Sequence, residues 1–504
     1  MNIIKEQIKL SPEVQNHVDV CKKTFNEILL KVINGKHQET HKMEQSIFSW
    51  LLEIGLLLLK LFFESHNHGD YGDTIETNKG IAKRGRTSDK SYFSIFGKLT
   101  IKRFLYYVED AEGMSFAPLD VFLNLPARCY SYLLSEFSTL LSIGEAYNNS
   151  AKILKKFFGF KISTSALEII SKESSECYTE YYDIKITLPK PIKKTDFTVV
   201  SFDGKGVPMI KKEAAKIVAR PGKGEKKQKK KEALVGVKYD VDANVRTAEE
   251  VATNLVFPEE KKSKKIDKET KAQNIRYIAS LKSPKNEVME EIHKEVIKDN
   301  FSDKPLVCVM DGALHLWNTF KKVFKDIPNK VLILDIIHVV EYIWIVAHVK
   351  HKEGSNKCAK YVYEKLLLIL QGKVSSYILE LQNDLMSTNK KWKKTEREKL
   401  SKVITYLKNH RQYMKYDEYL FNGYPIGSGI VESACSHLVA NRMEITGARW
   451  GINGAESILK MRSIEKSNDW DEYWKFYTTT RSMKNEFFAD DYLNSLNIHH
   501  KLCA

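Results

Sequence analysis

The spacing of apolar residues divides the chain into helical and strand-forming regions. Over residues 11–63 apolar positions recur every three or four residues, which predicts helices. Residues 91–108 alternate in polarity around Gly97-Lys98, which predicts a β-hairpin. Residues 145–173 contain two short helical patterns separated by Phe158-Gly159-Phe160, which predicts a helix pair. The first part of the chain is therefore expected to be mainly helical, with one hairpin.

The predicted helix pair has the arrangement of a helix-turn-helix. The inner face of the first helix is expected to consist of Ala146, Ile153 and Leu154, and the second helix carries Leu167, Ile169 and Ile170. Ser163, Thr164 and Ser165 are expected to cap the second helix, and in such motifs the N-terminal part of that helix reaches base edges. An ordinary helical hairpin fits the same residues, and the two interpretations remain open.

Buried strands are predicted where apolar runs end in an aspartate. The runs 197–202, 306–310 and 330–334 end at Asp203, Asp311 and Asp335. A further strand is predicted over 233–239, helical sequence from the lysine-rich stretch 261–271 to about Lys298, and a short helix around Leu316 and Trp317. Residues 340–419 have helical spacing and no strand signal, which predicts an all-helical insertion, and a helix is expected from about Ile430.

The charge of the chain favours a polyanionic partner. Its 504 residues predict about two to four domains, and 80 Lys and Arg against 64 Asp and Glu give a net charge of +16. A basic run is expected to follow DNA phosphates from a mobile loop and contains Lys226, Lys227, Lys229, Lys230 and Lys231. A solvated hairpin tip explains that run equally well.

Metal-binding, disulfide and membrane signals are weak. The seven cysteines form no Cys-x-x-Cys pair, which argues against a zinc ribbon and a disulfide framework and fits a reducing cytoplasm. His66, His68 and Asp70 lie in a polar segment with no further ligand at a usable spacing, so a solvated loop is expected there. Residues 50–63 are interrupted by Glu53 and Lys60 and are expected to form a buried helix rather than a membrane span. No signal peptide is predicted.

Three acidic residues carry the candidate chemistry. Asp203 and Asp311 follow strands, and Glu432 lies at the expected start of a late helix after Gly427-Ser428-Gly429. Oxygen ligands suit Mg²⁺, and ion pairs about 3.5–4 Å apart activate an attacking oxygen and stabilise a leaving one. An α/β sheet with carboxylates at adjacent strand ends and a late helical glutamate matches a ribonuclease H-like fold. Taken singly, each residue also fits a turn or a helix start.

The acidic motifs resemble those of bacterial insertion-sequence DDE transposases, and most of all those of ISKra-type elements in the Mutator-like assemblage. The resemblance covers about residues 85–480 and rests on the following motifs: Asp203-Gly204-Lys205-Gly206-Val207, Asp311-Gly312-Ala313-Leu314-His315-Leu316-Trp317, Asp335-Ile336-Ile337-His338, Gly427-Ser428-Gly429-Ile430-Val431-Glu432-Ser433 and Asn441-Arg442-Met443-Glu444-Ile445-Thr446-Gly447-Ala448-Arg449-Trp450. Some relatives carry cysteine-rich segments before the catalytic domain. This chain has none at 106–118, so DNA-end recognition is expected from its helical region.

The resemblance implies a metal triad of Asp203, Asp311 and Glu432 that binds two Mg²⁺ or Mn²⁺ ions. It implies a supporting role for Asp335 and His338, although His338 also fits a packed helical histidine. Three residues are implied as DNA contacts, with Trp450 equally compatible with the core: Arg442, Arg449 and Trp450. The implied partners are double-stranded DNA with terminal inverted repeats, target DNA and a second copy of the chain, in the bacterial cytoplasm at the nucleoid and without a membrane.

The expected architecture is a mainly helical N-terminal DNA-binding region followed by a ribonuclease H-like core that a helical insertion interrupts. The predicted segments are a helical region 1–85, a hairpin and helix-turn-helix-like region 86–195, core parts 196–340 and 421–480, an insertion 341–420 and a tail 481–504. The expected activity is metal-dependent strand cleavage and strand transfer. An inactive or domesticated DNA-binding descendant and a ribonuclease H-like nuclease that does not join strands are the alternatives.

Overall fold

A computed structural model describes residues 10–108, 114–188, 195–217, 229–259, 271–299, 304–387, 392–445 and 447–482. The chain folds as two compact units, Met1–Cys177 with Asp471–Ala504, and Tyr178–Trp470. The predicted boundary between residues 85 and 86 falls inside a strand of the first unit. Lys226, Lys227 and most of the predicted lysine-rich stretch 261–271 lie outside the described residues.

The first unit combines helices with a small antiparallel sheet. Its elements are α1 (Pro12–Asn34), α2 (Thr40–Glu64), a 3-10 turn (Asn67–Gly69), β1 (Thr74–Thr77), β2 (Gly80–Ser94), β3 (Gly97–Val108), β4 (Ser115–Phe116), α3 (Pro118–Phe122), α4 (Tyr132–Gly144), α5 (Tyr147–Phe158) and α6 (Thr164–Ser174). The strands are ordered β1-β2-β3-β4. The predicted hairpin is confirmed as β2 and β3, but β2 starts earlier than expected, and the turn lies at Ile95-Phe96 because Ser94 pairs with Gly97.

Helix α2 differs from its predicted buried form. It is 25 residues long, and Phe63 is its buried residue, while the side chains of Leu51 and Leu58 are more than half exposed. Within the described part of the chain, α2 is the helix whose length and composition suffice for crossing a membrane, with a mean hydropathy of 1.9 over its most apolar window. The expectation that this stretch is too short and buried was wrong, because the helix extends beyond the apolar run and packs by one side only.

The predicted helix pair is confirmed as α5 and α6, and α4 packs against both. Ser163 caps α6 by accepting a hydrogen bond from the Ala166 amide at 3.1 Å. Gly159 ends α5 in the left-handed conformation, with φ at 76°. Leu167 and Ile170 occupy the side of α6 that faces the core, whereas Ile169 is exposed.

The second unit contains a five-stranded mixed sheet and a helical region. Its elements are α7 (Tyr178–Thr187), β5 (Phe197–Pro208), α8 (Lys211–Ala214), β6 (Lys230–Val241), α9 (Ala248–Val256), β7 (Gln273–Ser280), α10 (Lys285–Lys298), β8 (Leu306–Met310), α11 (Leu314–Val323), β9 (Lys330–Leu334), α12 (Ile336–Lys350), α13 (Asn356–Leu370), α14 (Val374–Met386), α15 (Lys394–His410), α16 (Tyr416–Phe421), α17 (Gly429–Ala434), α18 (Asn441–Met443) and α19 (Ile452–Lys466). A 3-10 turn (Arg411–Tyr413) and a π-helix (Cys435–Ala440) join neighbouring helices. Helix α20 (Trp470–Thr480) then leads back into the first unit.

The sheet order is β7-β6-β5-β8-β9. Strands β5, β6 and β7 pair antiparallel, whereas β8 and β9 run parallel to β5. The core of the sheet consists of apolar side chains on both faces of its central strands, where Val199, Val200 and every residue of β8 are fully buried. Strands β8 and β9 therefore end at one common edge of the sheet, and β5 passes that edge at Asp203.

Two predictions about this sheet were wrong. Asp203 does not end its strand: β5 continues to Pro208, because β6 pairs with it as far as Lys230. The helical sequence expected up to Lys298 begins with strand β7, since Arg276 is buried there against Glu295 and so disguises the strand pattern. The secondary-structure elements that the structure describes between α12 and α16 are helices, and the late helix begins at Gly429.

Candidate active site

Three aspartates lie in one row across the parallel strands. Thr198 pairs with Leu306, and Leu306 pairs with Lys330. Continuing the same registers by five residues aligns Asp203 with Asp311 and Asp311 with Asp335, so the three residues share one level at the common edge. The row forms because each parallel strand presents the residue after its buried apolar run at the same height.

Asp203 and Asp311 each fix one carboxylate oxygen through the local backbone. Oδ1 of Asp203 accepts from the Gly204 amide at 2.6 Å, and Oδ1 of Asp311 accepts from the Ala313 amide at 3.0 Å. The second oxygen of Asp203 lies 3.3 Å from the Cys435 thiol, which donates to it. These hydrogen bonds hold both carboxylates in place. Because both residues are partly exposed, one side of the row remains accessible.

Asp335 is fully buried and joins the sheet to the loop before α17. Its Oδ1 accepts from the amides of Ile337 at 3.0 Å and Ser428 at 3.2 Å, and its Oδ2 accepts from the Ser428 hydroxyl at 2.6 Å. The Ile336 amide also donates to the Ile426 carbonyl at 2.9 Å. Asp335 therefore sets where the chain enters the helix that carries Glu432.

Glu432 and His338 complete the cluster beside Asp335. One potential ligand atom from each of Asp335, His338 and Glu432 lies within 4.8 Å of the other two. His338 is on α12, and its Nδ1 lies 3.3 Å from the carboxylate of Glu341. Glu432 is exposed, one turn into the late helix. The predicted supporting pair and the predicted glutamate thus meet in one place.

The charges of these groups are coupled. Burial raises the pKa of Asp203, and the Asp311 carboxylate raises it further. Burial also raises the pKa of Glu432, and the carboxylates of Asp335 and Asp203 add to that rise. Burial lowers the pKa of His338, but the surrounding carboxylates outweigh burial, and the net shift is upward. A cluster with these shifts favours the binding of a positive charge.

Several neighbours of the site were not identified from the sequence. Ser428 belongs to the glycine-bearing motif before Glu432 but had no assigned role, and Cys435 and Tyr406 had none. A Cβ at Gly312 would overlap the ring of Tyr406, and His410 Nε2 lies 3.0 Å from the Gly312 carbonyl. Helix α15 thus covers the turn after Asp311. Glycine directly after that aspartate was the only sequence signal for such a close approach.

The predicted DNA contacts fall into exposed and buried groups. Lys229 and Arg449 are exposed, and Lys230 is exposed but pairs with Glu444. Lys231 is half-buried at the start of β6, and Ser163, Thr164 and Ser165 are exposed at the start of α6 in the other unit. Lys226 and Lys227 lie outside the described residues.

The predicted role of Arg442 as an exposed phosphate contact requires correction. Arg442 is 2% exposed, with its guanidinium 4.7 Å from the centre of the Trp450 ring. Trp450 is 6% exposed, and its indole N–H donates to the Met443 carbonyl at 3.1 Å. Stacking on the aromatic ring compensates part of the cost of burying the guanidinium, so the pair belongs to the core.

Comparisons with solved structures give a distant structural likeness. No protein-family model matches the chain, and no curated protein matches it. The chain is similar to a solved structure titled Drosophila P element transposase strand transfer complex, with 11% sequence identity and a TM-score of 0.23, over 69% of this chain and 80% of that chain. At this level the likeness carries no inference, and the functional argument rests on the side chains themselves.

Proposed function

We propose that the chain is a DDE-type DNA transposase that cuts the ends of its own element and joins them to target DNA. The observation that carries the proposal is the shared level of Asp203 and Asp311 on adjacent parallel strands, with Glu432 on a helix that Asp335 ties to the same edge. Carboxylates from separate strands and a late helix converge in this way where metal ions position phosphate oxygens.

The sheet topology supports a ribonuclease H-like core. Across the sheet, the three antiparallel strands β7, β6 and β5 are followed by β8 and β9, which run parallel to β5. In the sequence, helices α12 to α16 lie between Asp335 and Glu432. In this proposal those helices are the insertion. The motifs that resemble ISKra-type elements in the Mutator-like assemblage fall on the row and on the late helix.

The donor atoms fit divalent cations. Asp203, Asp311 and Glu432 offer carboxylate oxygens, which suit Mg²⁺ or Mn²⁺. Burial raises the pKa values of Asp203 and Glu432, and neighbouring carboxylates raise them further, so a bound cation would offset both effects. Two such ions, when bound, activate the attacking oxygen and stabilise the leaving oxygen. The protein itself supplies the spacing and orientation of the carboxylates.

Asp335 is proposed to position the site. Three of its acceptor positions are taken by the Ile337 amide and by the amide and hydroxyl of Ser428. His338 lies beside it with an upward-shifted pKa. We assign Asp335 to holding Glu432 and assign His338 to orienting a phosphate or the metal-bearing carboxylates.

DNA binding is proposed for exposed residues in each unit. The net charge of +16 supports a phosphate-rich partner. Arg449 and Lys229 are exposed in the second unit, and the capped start of α6 is exposed in the first. The proposed substrates are the terminal inverted repeats of the element and target DNA, bound by at least a dimer, because two ends must be held together, in a bacterial cytoplasm at the nucleoid.

The test is strand cleavage and joining on the DNA that flanks the gene, with Mg²⁺ or Mn²⁺. Wild type is compared with Asp311→Asn and with Asp242→Asn, a control that changes an exposed aspartate just after strand β6 of the same sheet. We expect metal-dependent cutting at 3′ ends and joining in wild type and the control. We expect both to be lost in Asp311→Asn while DNA binding persists.

Each departure from that pattern identifies an alternative. Cutting without joining in wild type indicates a nuclease. Binding without cutting in every variant indicates a descendant that only binds DNA. Cutting that Asp311→Asn leaves unchanged overturns the assignment of the site.

A further inference from the structure

A second group of side chains that could bind a metal ion lies in the first unit, where the start of α1 meets the end of α2. Glu13 and His17 are four residues apart on α1, and Glu64 and His68 are four residues apart at the end of α2 and in the following turn. Side chains four residues apart lie on one face of a helix. The packing of the two helices brings these Glu-x-x-x-His pairs together.

The distances between the groups suit a shared ion. One ligand atom from each of Glu13, Glu64 and His68 lies within 4.8 Å of the other two, with His68 Nε2 3.7 Å from Glu13 Oε2 and 3.8 Å from Glu64 Oε2. His17 lies beside this group, with its Nε2 3.8 Å from the other oxygen of Glu64, Oε1. Such separations are too long for hydrogen bonds. Ligands at zinc–nitrogen and zinc–oxygen bond lengths in a tetrahedron are separated by about 3.3–3.6 Å, so small side-chain movements complete the geometry.

The local backbone aims His68 at this group. Asn67, His68 and Gly69 have φ values of 45°, 54° and 71°, a run in the left-handed region that is unfavourable for the two non-glycine residues. Gly69 is required at its position, since a Cβ there would come within 2.8 Å of Leu119 Cβ. Next in the chain, Asp70 receives two hydrogen bonds from Arg84 on β2, at 2.8 and 2.7 Å. The strained turn is therefore fixed by the two residues that follow the histidine.

The side chains are also shielded. His17, Glu64 and His68 are each about one-fifth exposed, whereas Glu13 is 78% exposed at the open side. The sequence-based expectation of a solvated loop at His68 was wrong, because the partners come from α1 and from the end of α2 rather than from nearby in the sequence.

We infer that these four residues bind one divalent transition-metal ion, with Zn²⁺ as the best fit. Two imidazoles favour a transition metal over Mg²⁺, and two carboxylates neutralise its charge. The ion clips the start of α1 to the end of α2 and holds the turn that leads into β1. This role is structural and does not depend on DNA chemistry, so it can succeed or fail independently of the proposed transposase activity.

The test is zinc binding to the full-length protein, measured by competition with a chromophoric chelator and by metal content after dialysis. The variants are Glu64→Gln/His68→Asn and the single change His17→Asn. The control is Glu39→Gln/His41→Asn, which removes a His–Glu pair 3.8 Å apart in the same helical hairpin whose side chains are about two-thirds exposed. Because Asp335, His338 and Glu432 form another group of ligands, each variant is also made with His338→Asn.

We expect Glu64→Gln/His68→Asn to bind one zinc ion fewer than its parent protein, both in the wild-type and in the His338→Asn background. The control is expected to keep the stoichiometry of its parent. His17→Asn is expected to weaken binding at least about tenfold, and it keeps the test valid if the double variant folds poorly. A Co²⁺-loaded protein is expected to show the visible absorption of a tetrahedral site, which excess Mg²⁺ does not remove. Equal zinc stoichiometry and affinity in wild type, in Glu64→Gln/His68→Asn and in His17→Asn would overturn the inference.

Discussion

The hydrogen bond between Ser428 and Asp335 is expected to stabilise the second unit and to position Glu432. The change Ser428→Ala removes the hydroxyl that donates to Asp335 Oδ2 at 2.6 Å. Both residues are buried, at 4% and 0% exposure, so water cannot replace the lost donor. A hydrogen bond to a charged group contributes about 1.5–3 kcal/mol, and alanine introduces no steric conflict. We expect the free energy of unfolding to fall by about 2 kcal/mol.

The measurement is urea unfolding of the full-length chain, followed by tryptophan fluorescence. A loss of about 2 kcal/mol corresponds to a midpoint shift of about 0.5–1 M urea for the transition of the second unit. Ser433→Ala is the matched control, since Ser433 is an exposed serine on the same helix, and its effect is expected to stay within about 0.5 kcal/mol. A shift for Ser428→Ala no larger than that of the control would refute the reasoning.

Asp335→Asn separates positioning from charge. The amide oxygen keeps the donors from Ile337 and Ser428, and the Ser428 hydroxyl can turn to accept from the new amide group. Asparagine is also as good an N-cap as aspartate, so the loss of stability should be smaller than for Asp335→Ala. If the two substitutions destabilise the protein equally, the hydrogen-bond account of Asp335 is wrong.

Three further predictions test other parts of the structure. Burial and Asp311 raise the pKa of Asp203, so its ionised form destabilises the metal-free fold; Asp203→Asn should raise the melting temperature in a chelator at about pH 8. That gain should shrink as the pH falls through the raised pKa, and a gain independent of pH would contradict it. Arg442→Gln should cost about 2 kcal/mol of stability through the lost contact with Trp450, and it should leave the salt dependence of DNA binding unchanged. Arg449→Gln should instead reduce the slope of log K for DNA binding against log salt concentration by about 1, measured by fluorescence anisotropy. Gly159→Ala should cost about 1 kcal/mol in urea unfolding because of its φ of 76°, while Gly144→Ala, which has equally open surroundings and no positive φ, should not destabilise the protein.

The elements around the site were largely predictable because apolar runs are local signals. The strands before Asp203, Asp311 and Asp335 are each rich enough in apolar residues to indicate burial on both faces. Their common level at the sheet edge was not predictable, because it depends on the pairing registers. The same limitation hid the contact of Ser428 with Asp335, which spans 93 residues, and that of Cys435 with Asp203, which spans 232.

The errors have specific physical causes. Strand β7 was missed because it contains a buried arginine, which a pattern of apolar residues does not reveal. Arg276 donates to Glu295 at 3.0 Å, and its guanidinium lies 3.4 Å from the centre of the Tyr182 ring, so tertiary contacts compensate for a charge inside the sheet. Helix α2 was expected to be buried because apolar composition alone does not show whether a second surface covers it.

The three aspartates in the row differ in the hydrogen bonds that their Oδ2 atoms accept. This difference indicates which aspartate contributes most to stability and which is most accessible to a ligand. Asp335 Oδ2 accepts a short hydrogen bond from the buried Ser428 hydroxyl, and Asp203 Oδ2 accepts from the weaker Cys435 thiol donor. Within the described residues, Asp311 Oδ2 accepts no hydrogen bond. An oxygen without a protein donor is the one best placed for a ligand, because binding there breaks no internal contact. Removing the carboxylate should therefore cost more stability at Asp335 than at Asp311, while the proposed chemistry should be most sensitive at Asp311.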